Sequence, residues 1–474
     1  MAKIENYEVC VIGAGSAGLS VAAGAAQLGA RTILFERAEM GGDCLNYGCV
    51  PSKALLAAAH AAHGIRDAGR FGIRCSEPEI DFAAVMAHVR GVIAAIAPHD
   101  SVVRFEGLGV RVVKAEARFA GPREVCGGGM AVRARRIVIA TGSTAAMPNI
   151  PGLDTVNPLT NETIFSLTTL PEHLVIIGGG PIGVEMGQAF RRLGSRVTIL
   201  EARRLLERDE PEFSDILRHQ LRTEGIVIRE GIRIDAVRKT EHGVAVALAG
   251  DAAPIGGTHL LVAAGRLPRL AGLDLAKAGV AHTAKGITVD ARLRTSNPRI
   301  YAIGDVAGGP QFTHVAGYQA GLVIRSALFR LPARTDYRAL PWVTYCDPEL
   351  AHVGLTEADA RKRFGDEVRV TMAPFTSNDR AQAERNTTGA IKVVTRRNGL
   401  VLGASIVGAG AGELLPVWSL AIARRMKLSA LTGLIVPYPT RSEISKAAAG
   451  AFYAPKLFSR WPRRLVRVLL SWLG

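Results

Sequence analysis

Aromatic side chains make up only 5% of the 474 residues, cysteines number six, and no uninterrupted run of 18 apolar residues occurs. Each shortage removes a class of protein. Six cysteines in so long a chain are too few for the disulfide framework of a small secreted domain. The missing apolar run argues against a membrane-spanning helix, and residues 1–6 lead straight into a strand without a signal-peptide core. The expected compartment is therefore a reducing cytoplasm, where a cysteine pair is more often catalytic than structural. The net charge of +16 could suit nucleic acid. However, Lys and Arg are spread along the chain, and neither zinc-finger spacing nor an aromatic–basic RNA-binding motif is present, so no nucleic-acid partner is expected.

What the chain has in quantity is small and aliphatic: 48% of residues are hydrophobic and 52 are glycine. Its length suggests about three domains. Residues 7–12 form a buried-strand pattern, GAGSAG follows at 13–18, then an Ala-rich helical stretch and a strand at 32–35 ending on Glu36. The pattern returns with a strand at 174–177, GGGPIG at 178–183, a helix and a strand at 197–200 ending on Glu201. The interval from Gly13 to Glu36 equals that from Gly178 to Glu201, which implies two βαβ dinucleotide-binding units in one chain. In the first unit Gly13 allows the tight turn, Gly15 lets backbone approach a pyrophosphate, and Gly18 lets helix pack on strand. Gly178, Gly180 and Gly183 take the same parts in the second. The helix N-terminus that follows offers free N–H groups to phosphate. Glu36 and Glu201 would accept hydrogen bonds from ribose hydroxyls. Glu201 favours a free 2′-hydroxyl and hence NADH, while Arg203 and Arg204 directly after it leave NADPH open. From about residue 341 the texture changes to short strands and helices, an α+β domain without nucleotide motifs.

Cys44 and Cys49 lie in GGDCLNYGCVPSK at 41–53. Five residues along a regular helix separate Cα atoms by about 8.7 Å, beyond the roughly 7 Å reach of a disulfide. Cys44 must therefore sit at an irregular helix entry, which Gly41, Gly42 and Gly48 would permit. A helix N-terminus also lowers a thiol pKa and primes exchange. Lys53 follows Cys49 by four residues, on the same helical face, where it could stabilise a reduced flavin or a thiolate. Glu185, just inside the second unit's helix, could pair with it.

At these residues the chain resembles the class I pyridine nucleotide-disulfide oxidoreductases, a family that includes mercuric reductase, dihydrolipoamide dehydrogenase and glutathione reductase. GGDCLNYGCVPSK is the most specific match, supported by ATG at 140–142, GRLP at 265–268, GD at 304–305, DPELAHVGLTEADA at 347–360 and PYPTRSE at 437–443. The resemblance implies an α/β fold with two Rossmann-like dinucleotide-binding domains plus a C-terminal α+β dimerisation domain. An FAD-binding domain would span 1–155 and 280–340, an NAD(P)-binding domain 156–279 and an interface domain 341–456, in a homodimer. FAD would be held by Gly13, Gly15, Gly18, Glu36, Gly42, Lys53, Ala117, Thr141, Gly142, Asp305 and Thr313. The nicotinamide nucleotide would use Gly178, Gly180, Gly183, Glu201 and Gly265. Cys49 would contact the flavin and Cys44 would meet the acceptor.

Departures from the family pattern bear on the acceptor. Tyr438 stands where disulfide-reducing members carry a proton-shuttling His paired with the acid matching Glu443. Tyr, with an ordinary pKa near 10 against about 6.5 for His, is a poor substitute and is similar to mercuric reductase at this place. Yet mercuric reductase carries a C-terminal pair of cysteines, and the last cysteine here is Cys346. Asp43 replaces a usual Thr, and Pro181 an aromatic that often gates the nicotinamide pocket. The expected function is NAD(P)H-driven, FAD-dependent reduction of a small molecule or metal ion through Cys44 and Cys49, with no resident metal. A dihydrolipoamide dehydrogenase-type reductase and a redox-responsive binding module are the alternatives. Residues 457–474 form a basic amphipathic tail: Arg460, Arg463, Arg464 and Arg467 share one helical face and Trp461, Leu465, Val468 and Trp472 the other. This suits a peripheral membrane contact, a protein partner or the protein's own dimer.

Overall fold

A computed structural model describes residues 4–473 and divides into two compact units. The first runs to Arg66 and resumes over Ser76–Ala202 and Gly231–Thr335. The second takes Asp67–Cys75, Arg203–Glu230 and the described residues from Asp336 onward.

Two parallel sheets organise the first unit, one for each glycine motif. β1 (Ile4–Ile12) leads through the glycine turn into α1 (Ser16–Gln27) and β2 (Thr32–Glu36). The chain then forms a short α2 (Gly42–Asn46), a long α3 (Cys49–Asp67), β3 (Val110–Lys114) and β4 (Met130–Ile139). Side chains on a strand alternate between faces, and here both faces are covered. Val9 and Val11 enter one apolar core, while Cys10 and Ile12 enter the other. A strand buried on both sides must be apolar at every position, which is why 9–12 shows no polar alternation. The strands run β3–β2–β1–β4, all parallel, with Ile12 opposite both Phe35 and Ile139.

The second sheet is built from β5 (His173–Ile177), which leads through its own glycine turn into α4 (Pro181–Arg192), β6 (Arg196–Glu201) and β7 (His259–Val262). β6 and β7 flank β5 in parallel. The chain then returns to the first sheet. β8 (Ile300–Ala302) pairs in parallel with β4, and α5 (Thr313–Ala327) packs on α1.

The second unit centres on an antiparallel sheet of five strands: β9 (Pro341–Thr344), β10 (Glu349–Gly354), β11 (Val368–Pro374), β12 (Ala390–Arg396) and β13 (Val401–Gly408). Their spatial order is β9–β10–β13–β12–β11. α6 (Glu443–Leu457) and shorter helices cover it around Trp418, whose indole N–H donates to Ser445 Oγ at 3.1 Å. The Lys392 ammonium is buried among three carboxylates: Glu210 at 2.9 Å, Glu212 at 2.5 Å and Glu357 at 2.6 Å. Burial alone would lower the Lys392 pKa, but the three acids outweigh it and hold the lysine above its ordinary value. α7 (Arg460–Leu473) closes the described chain.

One sequence expectation needs correction. The helical stretch Phe82–Gly107 is long and apolar enough to cross a membrane by length and composition, with a mean hydropathy of 1.3 over 18 residues. Arg90 and the polar residues around Pro98 break the apolar run, so the stretch is apolar on average without being uninterrupted. Its ends are tied into the first unit. The Phe82 ring lies 6.1 Å from that of Phe190, and Phe105 is fully buried.

Candidate functional site

The two cysteines sit on opposite sides of a helix break. Cys44 lies in the five-residue α2, Tyr47 and Gly48 form the turn, and Cys49 is the first residue of α3. Close packing creates this break. A Cβ on Gly48 would lie 3.0 Å from both the Asp43 carbonyl and its carboxylate, so a larger residue would press on Asp43 and glycine eases the tight fold-back. Gly42, at φ +59°, would bring a Cβ to 2.7 Å from the Gly15 Cα. The redox segment is thereby pressed against the first glycine turn.

Both cysteines are thiols in the structure and hydrogen-bond each other. The bond divides their acidity. Cys49 is brought down to about 6, first by the bond from Cys44, then by Thr313 and by the Lys53 charge, against burial and Glu185. Cys44 is pushed up, first because it holds the shared proton and then by burial. The Thr313 hydroxyl, at the N-terminus of α5, lies 3.5 Å from Cys49 Sγ, and Ser16 hydrogen-bonds Cys44. Lys53, one turn along α3, donates to Glu185 at 2.7 Å. Glu185 is buried on α4 of the second glycine unit, so this ion pair joins the dithiol helix to the second sheet's helix.

The glycine turns have the form a dinucleotide needs. A Cβ on Gly13 or Gly178 would collide with the carbonyl of Ala140 or Ala263, and one on Gly18 or Gly183 with the carbonyl of Gly13 or Gly178. A Cβ on Gly180, in contrast, would meet nothing within 4 Å, and one on Gly15 only Gly42 Cα at 3.9 Å. The first and third glycines are therefore packed, while the second leaves backbone open to a phosphate. The acids close these turns identically: Glu36 accepts the Ala14 N–H and Glu201 the Gly179 N–H, each at 2.6 Å and each across 22 residues. Gly142 borders open space at φ +69°, and Gly265, at φ +121°, has only Ala146 Cβ nearby at 3.9 Å. Ala117 is buried beside Phe119 in the first sheet's core. Thr141 donates its hydroxyl to the Arg269 carbonyl at 2.8 Å. The packed Gly13 and Gly18, the open backbone at Gly15 and the open space at Gly142 fit an extended dinucleotide such as FAD along the first sheet.

Arg266 ties this region together. Its guanidinium donates to Ser143 Oγ at 2.7 Å and pairs with Asp43 at 3.1 Å and Asp305 at 3.7 Å. Ser143 donates to Asp305 at 2.5 Å, and Asn161 to Asp43 at 2.8 Å. Burial raises the Asp305 pKa, Ser143 and Arg266 pull it back, and Asp43 adds repulsion. Asp43, directly before Cys44, is thus an anchored acid. Tyr438 and Glu443 lie in the second unit and do not bond each other. The Tyr438 hydroxyl donates to Asp379 at 3.0 Å, while Glu443 accepts the Thr440 N–H at 3.2 Å. Sequence reading missed Asp379, Asn161, Ser16 and the Cys49 contact of Thr313. Only Asp43 carried a signal, as a departure from the family's Thr.

The chain belongs to the pyridine nucleotide-disulphide oxidoreductases, whose family model matches residues 7–320 and whose dimerisation-domain model matches 340–449. It is an enzyme of that family, which uses FAD, NAD(P)H and a redox-active disulfide. It is 39% identical to a mercuric reductase of Streptomyces lividans over 94% of this chain and 96% of that protein. It is 38% identical to a dihydrolipoyl dehydrogenase of Thermus scotoductus over 95% and 98%. A Cu(II) complex of the HOCl-induced flavoprotein disulfide reductase RclA from Escherichia coli superposes with a TM-score of 0.84 at 28% identity, covering 93% and 99%.

Proposed function

We propose that this enzyme is a homodimeric NADH-driven reductase whose Cys44–Cys49 pair delivers electrons to a soft metal ion or a small electrophilic oxidant. FAD, when bound, would carry the electron pair of the nicotinamide hydride to the disulfide. The chain's own residues then set the outcome. Cys49 is stabilised as the thiolate by Cys44, Thr313 and Lys53. Cys44 keeps the shared proton and faces the acceptor. Closure of the dithiol to the disulfide releases two electrons, and the remaining thiol proton leaves to solvent. Glu185 holds Lys53 beside the thiolate. Glu201, the acid that ends β6, supports NADH.

The observation that carries the acceptor class is Tyr438. A leaving thiolate needs a proton donor that recycles near neutral pH. The bond to Asp379 raises the Tyr438 pKa further above its ordinary value. A metal ion or hypohalous-type oxidant makes a smaller demand for proton transfer. The relatives named for mercury, and the RclA structure holding Cu(II), agree with this reading. The test is an acceptor panel of Hg²⁺ with excess thiol, Cu²⁺, hypochlorous acid, quinones, lipoamide and glutathione disulfide, each with NADH and NADPH. The expectation is at least tenfold higher kcat/KM for a metal ion or oxidant than for either disulfide. Equal or faster lipoamide turnover would overturn it.

A further inference from the structure

The terminal helix α7 belongs to neither the dithiol nor the nucleotide turns. It has 14 residues, so it is about 21 Å long, against a bilayer core of about 30 Å. At 100° per residue, Arg460, Arg463, Arg464 and Arg467 fall within about 100° of arc, and Trp461, Leu465, Val468, Leu469 and Trp472 occupy a second arc of about 100° opposite. The apolar arc is not packed against the second unit: Trp461 is 77% exposed and Trp472 85%. Leu457 and Phe458, at the end of α6, extend the exposed apolar surface. From residue 444 to the end there is no Asp or Glu, against two Lys and four Arg.

We propose that α7 is an interfacial anchor that lies flat on an anionic lipid surface. Three observations select this occupant over a protein groove. The charge is of one sign, complementary to phosphate headgroups. The two tryptophans lie within the apolar arc, one near each end of the helix, and indoles favour the headgroup boundary of a bilayer. Arg464 comes within about 40° of Val468 and the other three arginines lie farther from the apolar arc, so all four chains can reach headgroups while the leucines and tryptophans enter the acyl boundary. At about 21 Å, α7 is too short to cross.

The test uses the FAD-loaded full chain, a variant ending at residue 458, and Arg463→Gln/Arg464→Gln. Each is co-sedimented with vesicles of phosphatidylglycerol and phosphatidylcholine, and with phosphatidylcholine alone. The full chain should sediment with the anionic vesicles and be released by high salt. The double variant should bind about 25-fold more weakly, about fivefold per charge. The shortened chain should stay in solution with its NADH oxidation by a soluble acceptor unchanged. Tryptophan emission should shift to the blue on binding, and Trp461→Ser/Trp472→Ser should reduce that shift. Equal sedimentation of full and shortened chains, equal binding to neutral vesicles, or loss of the dimer on shortening would each overturn the proposal.

Discussion

Replacing Cys44 with alanine should raise the pH at which Cys49 becomes nucleophilic. At a value of about 6, Cys49 is roughly nine-tenths thiolate at pH 7. At its ordinary 9.0 only about one part in a hundred would be. The bond from Cys44 is the largest contribution to this lowering, ahead of Thr313 and Lys53. Without it, burial and Glu185 are opposed only by the latter two. The midpoint should then rise, and the thiolate fraction at neutral pH should fall. The assay is iodoacetamide labelling of the reduced protein across pH 5 to about 10, with Cys49 followed by peptide mapping and exposed Cys75 as internal reference. Thr313→Val should shift the midpoint in the same direction by less, and Cys44→Ser, which retains an O–H donor, should fall between wild type and Cys44→Ala. A midpoint that stays at about 6 in Cys44→Ala would refute the reasoning, because the thiolate would then not depend on its partner's proton.

Three further outcomes follow from the geometry. Lys392→Met should lower stability by about 3–5 kcal/mol in urea unfolding, because it leaves Glu210 buried beside two more acids; adding Glu210→Gln should recover part of the loss. His352 is buried, and burial brings its pKa down from 6.5 to about 4. The folded state therefore resists protonation, and stability present above pH 6.5 should fall by about 3 kcal/mol as pH drops through 4. His352→Asn should flatten that slope, and an unchanged slope would count against it. Tyr438→His should raise kcat for lipoamide with a bell-shaped pH profile while leaving metal-ion turnover within about twofold; no gain with any disulfide would remove Tyr438 as the discriminating residue.

Local spacing carried most of what was legible in the sequence. Two glycine motifs at equal distances from their acids marked two parallel sheets, and the CxxxxC separation implied the helix break now seen at Tyr47–Gly48. The Lys53–Glu185 contact was anticipated because each residue sat beside a motif of known geometry. Other contacts carry no such mark. Asp43 meets Arg266 across 223 residues, and Thr313 meets Cys49 across 264. No periodicity encodes a pair brought together only by the return of the chain to the first sheet. Tyr438 was noticed, but its partner Asp379 lies on another element 59 residues away. The Phe82–Gly107 stretch shows a different limit, since Arg90 interrupts an apolar run without making the helix polar on average.

The matched bonds from Ala14 to Glu36 and from Gly179 to Glu201 concern the timing of order. Each acid grips its own glycine turn as part of the fold, so the turn is held in shape before any nucleotide arrives. A loop already ordered loses little conformational entropy on binding. The two turns are thus preorganised receptors, and the freedom that glycine confers on an unfolded chain has been given up during folding and not at each encounter with a cofactor.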